Sequence, residues 1–153
     1  LSGKRYVITG GSSGSGQATV EFLAKQGAEV ITTGRDLDRG RQNFESLPLA
    51  VQERISLLHL DLENMESVEK FAAEVNKKWQ SFDALVNNAG GALTKNGTFE
   101  LNGKTYDKQF VGNHVGVFHL TNLLLPGLEA HDGARLINNS YCLIDQISID
   151  VFP

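Results

Sequence analysis

Residues Thr9 to Gly16 read TGGSSGSG. The string follows a short β-rich run, Tyr6-Val-Ile-Thr9, and precedes a helical pattern from about Ser15 to Gln26. Its spacing places Ala18, Phe22 and Leu23 on one side of that helix. A glycine string between a strand and a helix constrains this fold more than any other feature of the chain. The glycines permit a tight turn and a close approach of backbone to an anion. The helix start near Ser15 presents free N–H groups and the positive end of its dipole to that anion. The plainer reading is a flexible Gly/Ser turn, and the strand-to-helix context argues against it.

The rest of the chain repeats the rhythm. Gly27 sits where the first helix should end, and Glu29 to Thr33 reads as a second strand. Asp36 is placed to cap a weaker helix with Leu37 and Phe44 two turns apart, closed at Leu47-Pro48. Ile55 to Leu60 reads as a third strand. Val68, Phe71, Ala72, Val75 and Trp79 then fall at helical spacing. Phe82 to Val86 reads as a fourth strand, and Asn87 to about Thr105 as a polar, glycine-containing loop. A long helix is expected over Tyr106 to Glu129, with Pro126 placed to kink or shorten it. Its expected stripe is Phe110, Val111, Val117, Phe118, Leu124 and Leu125, widened by Val115, Leu120, Leu123 and Leu128. Arg135 to Asn138 makes a fifth strand. Strands alternating with helices imply right-handed βαβ crossovers, hence an α/β fold: a doubly wound parallel sheet of about five strands with helices on both faces.

Length and composition fit one domain, residues 1–153, since 41% of residues are hydrophobic and 21% charged. The net charge of -4 gives no footprint for nucleic acid. The single cysteine, Cys142, has no internal partner, and no apolar run is long enough for a membrane span. Together with the lack of a signal-peptide pattern at the start, these features make a cytoplasmic protein the expectation. The four histidines and Cys142 lack ligand spacing, so no metal site is expected. A long helix apolar on more than one side must be covered on more than one side. That points to a homo-oligomer through the Tyr106–Glu129 helix, or to a segment outside this chain.

The second strand ends Thr32-Thr33-Gly34-Arg35. A carboxylate there would bind a ribose 2′-hydroxyl, whereas an arginine accommodates a 2′-phosphate. Arg35, with the Ser12 hydroxyl beside it, favours NADP(H) over NAD(H). The plainer alternative is that Arg35 is a solvated loop residue.

These residues resemble the short-chain dehydrogenase/reductase family, and its retinol-dehydrogenase-like branch in the run NHVGVFHLTNLLLP. The loop Thr9-Gly10-x-x-x-Gly14-x-Gly16 is similar to the family's TGxxxGxG. Asp61-Leu62 resembles its adenine contact, Asn87-Asn88-Ala89-Gly90 its NNAG, and Asn113-x-x-Gly116 its NxxG on the long helix. The resemblance implies a Rossmann-type fold and cofactor contacts at Gly10, Ser12, Ser13, Gly14, Ser15, Gly16, Arg35, Asp61, Leu62, Asn88, Ala89 and Gly90. It also implies a catalytic asparagine, Asn113, and a small carbonyl or alcohol substrate.

Three departures accompany it. The family's fifth strand ends like IVNVSS, its second serine being catalytic. That pattern puts Ser140 at the first serine and Tyr141 at the catalytic position, so both are candidate catalytic residues. Their plainer role is to satisfy backbone groups at a strand end. The family's YxxxK has no counterpart here, because no lysine lies beyond Lys108. Ser15 also stands where the family has an apolar residue. The expectation is an oxidoreductase of this type, truncated before YxxxK. The alternative is a non-redox relative that binds cofactor or ligand as a regulatory module, or reuses the pocket for isomerisation or cyclisation.

Overall fold

The computed structural model describes residues 1–91, 97–101 and 103–140. Five strands form one parallel sheet: β1 (Arg5–Ile8), β2 (Glu29–Gly34), β3 (Ile55–His59), β4 (Ala84–Asn87) and, last in the chain, β7 (Arg135–Asn138). Their order is β3-β2-β1-β4-β7. Every pairing is parallel, with Tyr6 opposite Val30 and Ala84, and Asn87 opposite Asn138. The chain winds outward from β1 to one edge, returns to β4 and continues to the other edge. The crevice at the carboxyl ends of β1 and β4, where the winding reverses, is where ligands of such sheets bind.

Strand alternation divides the core in two. Val7, Ile31 and Leu85 point to the face covered by α4 (Met65–Lys78) and α6 (Gly116–Glu129), where Val68, Phe71, Val75, Leu120 and Leu124 meet them. Ile8 and Val30 point to the other face, against Val20 of α1 (Gly14–Lys25) and Phe44 of α2 (Leu37–Phe44). Burying each such side chain contributes about 1.5–3 kcal/mol. Asp36 caps α2 by accepting from the Arg39 N–H at 3.0 Å, as its position implied. Asn64 caps α4 through the Ser67 N–H at 3.2 Å.

Several expectations change. The α1 face that packs is Gly16, Val20 and Ala24, while Ala18 is exposed and Phe22 is 61% exposed. Small residues at that spacing let the helix lie close to the sheet, which outweighs the pull of the larger side chains. A short helix, α3 (Leu49–Gln52), follows Pro48. The segment read as a loop contains a hairpin, β5 (Thr98–Leu101) and β6 (Lys104–Asp107), paired antiparallel. The chain reverses through Gly103 at φ +72, and Asn102-Gly103 between two β-rich runs is a hairpin signal that the polarity of the segment obscures.

The long helix runs from α5 (Lys108–Phe110) through a π-helical turn (Val111–Val115) into α6. Pro126 lies inside α6 without ending it. The π turn shifts Phe110 and Val111 relative to α6, and within α6 the packed face runs through Gly116, Leu120, Leu124 and Leu128 rather than through Val117 and Phe118. Val111, Leu120, Leu124 and Leu128 are buried, whereas Phe110 and Phe118 are 55% and 66% exposed. Among the described residues, no helix is long and apolar enough to cross a membrane, and no cluster of three His, Cys, Asp or Glu could hold a metal ion.

Candidate functional site

A cleft of about 450 Å³ opens over the carboxyl ends of β1, β2, β3 and β4. Gly10, Ser12, Ser13, Gly14, Ser15, Gly16, Arg35, Asp61, Leu62, Asn88, Ala89, Gly90 and Asn113 all line it. Four stretches of sequence converge on one cavity because parallel strands deliver their ends to one side of the sheet, and the long helix adds Asn113 as a fifth.

The glycine loop is held by side-chain hydroxyls and amides rather than by its own regular structure. The Gly10 N–H donates to Thr33 Oγ1 at 2.9 Å. Thr9 Oγ1 accepts from the N–H groups of Asn88 and Ala89 at 3.0 and 2.9 Å. Asn88 Nδ2 donates back to the carbonyls of Thr9 and Gly10 at 3.1 and 3.4 Å. Gly10 has φ +69, and a Cβ on it would lie 2.8 Å from Ala89 Cα, so only glycine fits. A Cβ on Gly16 would run into the Gly10 carbonyl and, at 2.5 Å, Asn88 Nδ2. β1, α1 and β4 are therefore in direct contact at the loop.

The helix starts differ in a way that bears on ligand chemistry. α2, α4 and α5 are capped by Asp36, Asn64 and Asp107. α1 begins at Ser13 with no side-chain cap and no acid in its first turn, and its first residues line the cleft. Its free N–H groups and dipole face that space, an arrangement that suits an anion. Arg35 is exposed at the cleft margin, and no carboxylate pairs with it among the described residues. Asp61 is half-buried. Its N–H donates to Ser67 Oγ at 3.0 Å, and its Oδ1 accepts from the Glu63 N–H at 3.0 Å.

Asn113 sits in the π-helical turn, a placement the sequence pattern did not reveal. Its Nδ2 donates to the Gly91 carbonyl at 2.9 Å and its Oδ1 accepts from the Gly91 N–H at 3.2 Å. That reciprocal pair holds the helix against the end of the NNAG stretch. Ser140 is exposed just beyond β7 and is absent from the cleft lining, and Tyr141 lies outside the described residues. Asn87 is buried, with Nδ2 donating to Thr121 Oγ1 and Asn138 Oδ1 at 3.0 and 2.9 Å. Its Oδ1 has no hydrogen-bond partner among the described residues. Thr33, Glu63, Lys108, Gln109 and Gly112 also line the cleft and were not singled out from the sequence. The consecutive threonines of β2, polar within a buried strand, were the available signal for Thr33.

The comparisons agree with this geometry. The family model described as short chain dehydrogenase matches residues 4–141. The chain is 33% identical over 141 residues to retinol dehydrogenase 13 from Homo sapiens, covering 92% of this chain and 42% of that protein. It is 35% identical to a short-chain dehydrogenase/reductase of Armillaria gallica, covering 92% and 46%. Among solved structures, the Pseudomonas aeruginosa RhlG/NADP active-site complex superposes with a TM-score of 0.69 at 26% identity, over 90% of this chain and 54% of that one. The chain thus spans less than half the length of these curated relatives. With its sheet order, its glycine loop and a family match across nearly all its length, the chain belongs to the short-chain dehydrogenase family of oxidoreductases.

Proposed function

We propose that the cleft binds NADP(H) in preference to NAD(H), and that the protein containing it interconverts a carbonyl and an alcohol. The observation that carries the reading is the uncapped start of α1 facing the cleft, with the unpaired Arg35 at its margin. The N–H groups at Ser13 to Gly16 would hold the pyrophosphate. Arg35 and the Ser12 hydroxyl would take the 2′-phosphate, and Asp61 and Leu62 the adenine. Asn88, Ala89 and Gly90 would line the path toward the nicotinamide. When bound, the nicotinamide supplies or accepts the hydride. The chain's own part is to orient that ring, with Asn113 holding the helix beside it. Ser140, just beyond β7, and Tyr141, which lies outside the described residues, are the candidates for contact with the substrate oxygen. The NADP complex of the Pseudomonas relative supports the cofactor class.

Titration of the purified chain with NADPH and NADH tests the reading. NADPH binds more tightly, and Arg35→Ala weakens NADPH by about tenfold while sparing NADH, as expected for loss of a charge-assisted contact. Equal affinity for the two cofactors, or no binding of either at millimolar concentration, would overturn it.

The exposed Phe110 and Phe118 support self-association through the long helix. Sedimentation that stays monomeric at all concentrations would remove that part of the proposal. The lone cysteine fits a reducing compartment such as the cytoplasm.

A further inference from the structure

Two adjacent asparagines, Asn138 ending β7 and Asn139 just past it, each meet an asparagine at the end of β4, Asn87 or Asn88. Asn138 accepts from Asn87 on the side of α6. Asn139 turns the other way, and its Nδ2 donates to Asn88 Oδ1 at 3.1 Å. Its own N–H donates to the Asn87 carbonyl at 2.9 Å, so its backbone is fixed by the sheet. The second pair matters for the cleft. With Asn88 Oδ1 engaged by Asn139, Asn88 Nδ2 is left aimed at the Thr9 and Gly10 carbonyls, and it lies over Gly16 where a Cβ would otherwise stand. A continuous line of amides therefore runs from β7, through β4, to the glycine loop.

We propose that Asn139 is a positioning residue for the glycine loop: its carboxamide fixes the orientation of Asn88, and Asn88 in turn fixes Gly10 and the start of α1. For its effect on ligand binding this inference rests on the cofactor reading above. An amide has a donor end and an acceptor end, and the two carbonyls of the loop require its donor end. Asn139 supplies the matching donor on the far side. An aspartate at 139 has the same shape but presents only acceptors at neutral pH. It would oppose Asn88 Oδ1, and turning Asn88 over to relieve that clash would bring its oxygen against the Thr9 and Gly10 carbonyls. Either arrangement loosens the loop without changing the packing. Because Asn139 is exposed, the substitution leaves the core intact.

The test is Asn139→Asp in the full chain, with Asn139→Ala as the milder variant and circular dichroism melting as the check on folding. The dissociation constants for NADPH and NADH both rise by about threefold to tenfold in Asn139→Asp, the scale of one lost hydrogen bond. Their ratio stays constant, because the loop serves the shared pyrophosphate. In an Asn88→Ala background, Asn139→Asp adds nothing, since the group through which it acts is gone. Unchanged affinity, a change confined to NADPH, or full additivity in the double variant would overturn the proposal. Hydrogen exchange across Thr9–Gly16 in the cofactor-free chain gives a second readout. Exchange there quickens in Asn139→Asp, and exchange identical to the unsubstituted chain sinks the coupling even if the chain binds neither cofactor. Failure of the unsubstituted chain to bind either cofactor would defeat the cofactor reading alone.

Discussion

The two sides of the sheet are built to different standards. Around β1 and β2 both faces are covered, Val7, Ile8, Val30 and Ile31 are buried, and the strand ends are tied by threonine hydroxyls. At β7 all four residues are exposed, with Leu136 at 44% and Ile137 at 45%. Parallel strands normally need cover on both faces. The contrast teaches that the glycine-loop end of the cleft is packed on both faces and tied from several elements. The candidate substrate edge depends on β7 being held by its pairing with β4 and by a few side-chain amides.

The sharpest way to break that contrast is to truncate one large apolar side chain in each region. Phe71→Ala empties a site that is 1% exposed and is expected to cost about 3–5 kcal/mol. Ile137→Ala on β7 is expected to cost well under about 1 kcal/mol. Urea denaturation midpoints compare them directly, and similar losses would mean that β7 packs as tightly as the centre.

A smaller effect sharpens the comparison at the loop itself. Thr9→Val keeps the volume and removes the hydroxyl that accepts from both the Asn88 and Ala89 N–H groups. Two part-buried donors lose their acceptor, which is expected to cost about 1–3 kcal/mol. It should weaken NADPH and NADH alike. Calorimetry and denaturation on the same variant check both parts, and wild-type stability would show that water replaces the hydroxyl freely.

How much of this was legible in the sequence follows the same division. The β-rich runs at Tyr6, Glu29, Ile55 and Phe82 lie near the observed strands because a covered parallel sheet draws on apolar and β-branched residues. The α4 face, Val68 to Val75, was legible for the same reason. The α1 face was not, since its contact uses Gly16 and Ala24, which carry little hydrophobic signal. The π turn was illegible because one inserted residue leaves composition unchanged while rotating Phe110 out to solvent relative to Leu120. The cleft residues could be read from motifs because most follow a strand end directly, and Asn113 from its NxxG on the long helix. Their supporting partners, Thr33, Thr9 and Asn139, could not, because a hydroxyl or amide gives no sign of where its hydrogen bond goes. Asn138 and Asn139 stood out only as polar residues in an otherwise apolar run, and the structure gives each a partner on a different side.

The smallest expected effect tests whether the two regions unfold together. Asp83 lies at the opposite end of the sheet from the cleft and joins three strands. Its Oδ1 pairs with Lys4 Nζ at 2.7 Å and with His131 Nε2 at 3.1 Å, and its Oδ2 accepts from the Arg5 N–H at 2.8 Å. Its main chain bonds Arg5 on one side and Arg135, the start of β7, on the other. Burial pushes the carboxyl up, but the Lys4 and Arg5 hydrogen bonds and the charges of His131 and Lys4 outweigh it, holding it below its ordinary 3.8. A carboxyl lowered on folding stabilises fully above its unfolded value, and that stability is lost as pH falls through the folded value. Stability should therefore decline as the pH drops below about 3.8. Asp83→Asn should be modestly less stable at neutral pH and show a shallower decline in acid. If β7 is cooperative with the centre, fluorescence of Trp79 and exchange of the β7 amides report the same midpoint in both proteins. If Asp83→Asn releases β7 first, the exchange midpoint falls below that of Trp79, and the edge is a separate unit whose ladder with β4 depends on this carboxylate holding the Asp83 main chain in place.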